Sequence, residues 1–88
     1  MAVLQPKLEI VPEVSLQTKQ YVVARARRGE KYFIASCPEL GVFTQGETLE
    51  ELKRNLREAV DLSLADGENE EYGLPPSPAI WLVYEEAL

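Results

Sequence analysis

Apolar and polar residues alternate through the first half of the chain and then switch to helical spacing. Leu8, Ile10, Val14 and Leu16 fall on one side of an extended run, with Glu9, Glu13 and Ser15 between them. This predicts a first strand over 8–16 with one apolar face. Pro12 lies inside it and cannot donate to a ladder, so the strand belongs at a sheet edge or carries a bulge. After a polar turn over 17–20, a second strand is predicted over 21–27. Val22, Ala24 and Ala26 share one of its faces, and Tyr21, Val23, Arg25 and Arg27 share the other. The small Ala24 and Ala26 suit a face closely covered by a helix. Arg28-Gly29-Glu30-Lys31 reads as a hairpin connection. The third strand, over 32–37, alternates less cleanly, which suits a central place in a sheet.

Pro38-Glu39-Leu40-Gly41 breaks that strand, and Val42-Phe43-Thr44 predicts a short fourth one. Thr48 and Glu51 then form a T-x-x-E capping box, in which the threonine oxygen accepts from an amide of the first turn and the glutamate reaches back. Glu50 and Glu51 also suit the positive end of a helix dipole. Leu49, Leu52, Leu56, Ala59, Val60 and Ser63 lie within about 100° of arc at helical spacing. Opposite charges four residues apart (Glu50 with Arg54, Arg54 with Glu58, Arg57 with Asp61) lie on the other side. Gly67 is the expected C-cap. Leu62 and Leu64 fall off the apolar stripe, about 110° and 90° from its centre on opposite sides. Either they pack against the following loop and the sheet margin, or they make a subunit contact. Residues 66–78 are polar and proline-rich, a loop. Ala79 to Tyr84, AIWLVY, is a strongly β-prone final strand.

The predicted fold is α+β: two layers, a mostly antiparallel sheet covered by one helix, in the order β-β-β-β-α-β. The 88 residues make one domain. A chain this short buries only about 60–65% of its unfolded surface, so a homo-oligomer is expected.

Charge adds a second theme. The net charge is −6. Residues 1–57 hold all 9 basic residues and 7 acidic ones, net +2; residues 58–88 hold no basic residue and 8 acidic ones, net −8. An acidic C-terminal third repels phosphate backbones and suits a basic protein partner, or serves as a solvated surface. Direct nucleic-acid binding is therefore disfavoured. No run approaches the roughly 18 apolar residues of a membrane span, and the N-terminus lacks a signal-peptide pattern. A cytoplasmic protein with no membrane association is the expectation.

Candidate catalytic chemistry is sparse. The chain has no histidine, which removes the commonest general base and transition-metal ligand. Cys37 is the single cysteine; with no cationic neighbour or helix N-terminus nearby in sequence, it reads as a buried structural thiol. The adjacent pairs Glu50-Glu51, Glu70-Glu71 and Glu85-Glu86 point in different directions on a helix or strand. Gly41 and Gly46 are turn glycines, without phosphate-loop spacing. Arg25, Arg27, Arg28 and Lys31, with Tyr21 and Tyr32, read as a small nucleic-acid contact, or else as an exposed sheet face or a subunit interface. No catalytic residue, cofactor site or metal site is predicted, and no enzymatic activity is expected.

The run from Tyr32, with Pro38, Glu39, Leu40, Gly41, Thr44, Gly46, Glu47, Thr48, Glu50 and Glu51, resembles the core of the HicB-like antitoxin family over about residues 20–66. The usual Leu-Pro-Gly-Cys is here Leu40-Gly41-Val42-Phe43, and Leu52 replaces the usual alanine. The strand over 8–16 lies outside the shared core. The C-terminal DNA-binding segment of many members has no counterpart here.

The resemblance implies a partly RNase H-like fold without nuclease carboxylates. It also implies a role in a toxin–antitoxin pair, where the antitoxin masks a small basic RNA-cleaving toxin of the HicA-like kind. Combined with the charge pattern, it makes Glu68, Glu70, Glu71, Glu85 and Glu86 the candidate partner-binding residues; Leu62 and Leu64, off the helical stripe, are separately the candidate oligomer contacts. The alternative is a stand-alone homo-oligomer with no toxin partner.

Overall fold

The computed structural model describes residues 20–88. The strand predicted over 8–16 lies outside the described residues. Within them the order is β1 (Tyr21–Arg28), β2 (Phe33–Cys37), a 3-10 turn (Pro38–Leu40), β3 (Val42–Gly46), α1 (Leu49–Ser63), a one-turn helix α2 (Glu68–Glu71) and β4 (Ala79–Glu85). The fold is α+β, a four-stranded mixed sheet with one main helix on one face.

The sheet order is β3-β2-β1-β4. β1 pairs antiparallel with β2 through Arg25–Ser36 and Arg28–Phe33, and β2 pairs antiparallel with β3 through Phe33–Gly46 and Cys37–Val42. β4 pairs parallel with β1 along its whole length, from Tyr21–Ala79 to Arg27–Glu85. The parallel pair follows from the connection. α1 starts beside the end of β3 and carries the chain back to the other end of the sheet, so β4 must run the same way as β1.

Period-two patterning sorts β1 as its sequence requires. Val22, Ala24 and Ala26 are fully buried beneath the helix layer, while Tyr21, Val23, Arg25 and Arg27 face outward. β2 is interior and adds Ala35 and Cys37 to the core. From α1, Leu52, Leu56 and Val60 point into the sheet, each contributing about 1.5–3 kcal/mol of burial. Leu40, Val42, Leu64 and Leu74 complete the cluster.

The N-cap of α1 is Thr48, whose Oγ1 accepts from the Glu51 amide at 3.0 Å. The Glu51 carboxylate turns back as expected, but it accepts from the Glu47 amide at 2.6 Å, one residue before the cap. Arg57 pairs with Asp61 at 2.8 Å as the i,i+4 spacing predicts, whereas Glu50 approaches Lys53 at 3.9 Å.

The 64–78 region departs from expectation in two ways. α1 ends at Ser63 with Leu64 as its C-cap, so Gly67 is not its cap; Gly67 (φ 85°) instead precedes α2. The predicted loop contains that helical turn, closed by paired bonds between Asn69 and Leu74: the Leu74 amide donates to the Asn69 carbonyl at 3.0 Å, and Asn69 Nδ2 donates to the Leu74 carbonyl at 2.8 Å. Ser77 Oγ donates to Asp61 at 3.1 Å and ties the segment to the end of α1.

Candidate interaction surface

The helix layer covers one face of the sheet. The other face collects the alternate residues of all four strands: Phe43 and Gln45 from β3, Ile34 and Ser36 from β2, the outward residues of β1, and Trp81, Val83 and Glu85 from β4. It is unusually apolar for an exposed surface. Phe43 is 69% exposed and Trp81 63%, with Tyr21, Val23 and Val83 each near 44%. Tyr21 meets Trp81 edge-on at 6.2 Å between ring centroids. Exposed aromatic patches of this kind are a common feature of contact surfaces on soluble proteins.

The charged residues on this face partly cancel. Arg25 Nε lies 3.5 Å from a Glu85 carboxylate oxygen, with both side chains about half exposed. Arg25, Arg27, Ile34, Ser36, Phe43 and Glu85 border a shallow depression of about 230 Å³. The basic cluster seen in sequence is therefore split. Arg25 and Arg27 lie on the open face. Arg28 belongs to the opposite face, where its guanidinium carbon sits 5.0 Å from the centre of the Phe33 ring.

The five candidate glutamates do not form one patch. Glu68, Glu70 and Glu71 sit on α2, before β4 begins. Glu85 and Glu86 sit at the far end of β4, about 20 Å along a seven-residue strand from Ala79. There they border a depression of about 760 Å³ together with Arg27 and Arg28, so their charge is locally balanced. Among the described residues, α2 itself carries acidic side chains and no basic one. Sequence order grouped the five because nothing in it shows that β4 carries the last two across the sheet.

Of the two candidate oligomer contacts, Leu62 is 71% exposed. Leu64 is 2% exposed and belongs to the chain's own core with Val60 and Leu74, so it is not available to a second subunit. Helical spacing placed it off the stripe, but the helix stops one residue earlier and Leu64 (φ −108°, ψ 9°) turns inward. Conversely, the aromatic face went unrecognised in sequence. Its signal was the paired alternation of Tyr21 and Val23 with Trp81 and Val83, legible only once β4 is known to lie beside β1.

Cys37 is fully buried in the core. Among the described residues, no group of three or more cysteines and carboxylates gathers as a metal site, and no helix is long and apolar enough to cross a membrane. Comparison of the chain with protein-family models, curated proteins and solved structures returns no match.

Proposed function

We propose that this protein is a non-enzymatic HicB-like interaction module of the antitoxin type, which binds and masks a small basic protein such as a HicA-like RNA-cleaving toxin. The observation that carries the reading is the open sheet face, where Trp81, Phe43, Tyr21 and Val83 offer apolar area beside the Arg25–Glu85 ion pair and Arg27. Apolar area of this kind supplies affinity, and charge supplies steering. The acidic α2 end, with Glu68, Glu70 and Glu71, supplies the steering charge. Support also comes from the HicB-like run across β2, β3 and the start of α1, which here forms a strand, a glycine-closed turn, a strand and a capped helix. The α+β topology is in keeping with the partly RNase H-like fold that the resemblance implies.

The test is capture of a small basic partner encoded beside this chain, followed by a salt titration. Binding should weaken progressively between low and physiological ionic strength. Charge reversal at Glu68, Glu70 and Glu71 should weaken it by about tenfold or more, mainly through slower association. A complex indifferent both to salt and to these reversals would remove the steering role of α2.

A second reading, a stand-alone homo-oligomer, is favoured by one observation: among the described residues β4 is an edge strand with apolar side chains on both faces.

A further inference from the structure

Among the described residues, no strand lies on the outer side of β4. Exposed edges in natural sheets are usually blunted by lysine, proline, a bulge or shortness. β4 has none of these. Its seven residues, AIWLVYE, contain no lysine and no proline, and their register with β1 runs unbroken. The opposite edge is different. β3 has five residues, and Asn55 Nδ2 of α1 donates to its Gln45 carbonyl at 2.8 Å.

We propose that β4 pairs with β4 of a second copy, antiparallel and centred on Leu82, to make one continuous eight-stranded sheet. This gives a geometry to the self-association in the second reading above, and it stands whether or not a basic partner exists. A two-fold axis relates opposite residues, so they must lie on the same face, and the allowed registers differ by two residues. Only the register centred on Leu82 pairs all seven positions.

That register sets Trp81 opposite Val83, and Ile80 opposite Tyr84, each pair occurring twice. Aromatic against β-branched is among the favourable cross-strand combinations. On the helix side, Lys53, Leu56, Arg57, Ile80 and Leu82 border a groove of about 320 Å³. Tyr84 of the second copy, opposite Ile80, stands at its rim. The register also meets the charge requirement. Glu85 falls opposite Ala79, so the two Glu85 carboxylates lie about 20 Å apart, well beyond the roughly 8 Å screening length at physiological salt.

The sequence offers one other β-prone run for such an edge, over 8–16. It carries Pro12, which has no amide to donate, whereas a second β4 has a donor at every position. The side chains to be covered amount to something on the order of 400 Å² per copy, about half a standard interface, so the dimer should dissociate on dilution.

The test uses the full chain. Sedimentation across protein concentration should show a monomer–dimer equilibrium. The Trp81→Lys variant, altered at an exposed position, should keep its far-ultraviolet circular dichroism and, at dilutions where both chains are monomeric, its melting temperature, while its dimer weakens about tenfold or more. Under mild oxidation Leu82→Cys should form a covalent dimer, because each copy then faces its own counterpart. Ile80→Cys, on the same face but about 13 Å from its counterpart in this register, should not. A monomer up to about 1 mM overturns both the pairing and the self-association reading. A dimer that cross-links at residue 80, or at neither position, or that ignores Trp81→Lys, overturns the β4 geometry and leaves self-association standing.

Discussion

Two glycines bracket β3 for different physical reasons. Gly41 closes the 3-10 turn at φ 68°, in the left-handed region, and a Cβ there would meet nothing within 4 Å. Its requirement is conformational, and asparagine tolerates that region better than other non-glycine residues. Gly46 is needed for space: a Cβ would stand 2.6 Å from the Leu52 amide nitrogen and 2.9 Å from its Cα, both backbone atoms of the first turn of α1. We therefore expect Gly41→Asn to cost under about 1 kcal/mol and Gly46→Ala about 1–3 kcal/mol or more, because the helix itself must move. Urea denaturation of the two variants measures the difference. Equal costs would mean that α1 does not press on the end of β3. Both positions read as turn glycines in sequence, and φ and packing separate them. Leu64 gives the same lesson, since helical angles stopped applying where the helix stopped.

At the scale of elements, α1 was the most legible segment because its signals are local. The apolar spacing, the Thr48 cap and the acidic first turn all lie within a few residues of one another. Loss of the Thr48 hydroxyl in Thr48→Ala leaves the Glu51 amide without its 3.0 Å acceptor and should cost about 1 kcal/mol. Thr48→Ser should restore most of it. Thermal or chemical denaturation reads both, and a loss below about 0.3 kcal/mol would show that the first turn is held by packing alone. β1, β2 and β3 were also legible, with β3 extending to Gly46, two residues further than its sequence predicts. The 66–78 segment was less so. Its single turn of helix depends on Asn69 bonding to Leu74 and Ser77 to Asp61, contacts that polarity and proline content do not announce.

The whole molecule sets what the elements can contact. Four strands and one main helix leave a sheet face uncovered among the described residues, and the chain's single tryptophan lies on it. That makes Trp81 a reporter. In the free protein its indole should be readily quenched by acrylamide. Docking of a partner on the open face should reduce the quenching constant by about half or more, since interface cores exclude solvent. Unchanged quenching in a formed complex would move the partner to the acidic α2 end. The same scale corrects the charge argument. A C-terminal third at −8 is one acidic block in sequence, yet β4 carries Glu85 and Glu86 to Arg25, Arg27 and Arg28.

By itself the sequence determined the periodicities, and so the strands, the capped helix and the inward side of each element, because neighbours along the chain set those patterns. The tertiary structure alone decided the partners: β4 beside β1, Leu64 inside the core, the split of the acidic residues between two ends, and the gathering of Tyr21, Phe43 and Trp81 on one face. Such contacts join residues dozens of positions apart. Which strand closes next to which is fixed by the helical crossover and the packing of α1, and no local pattern carries that information.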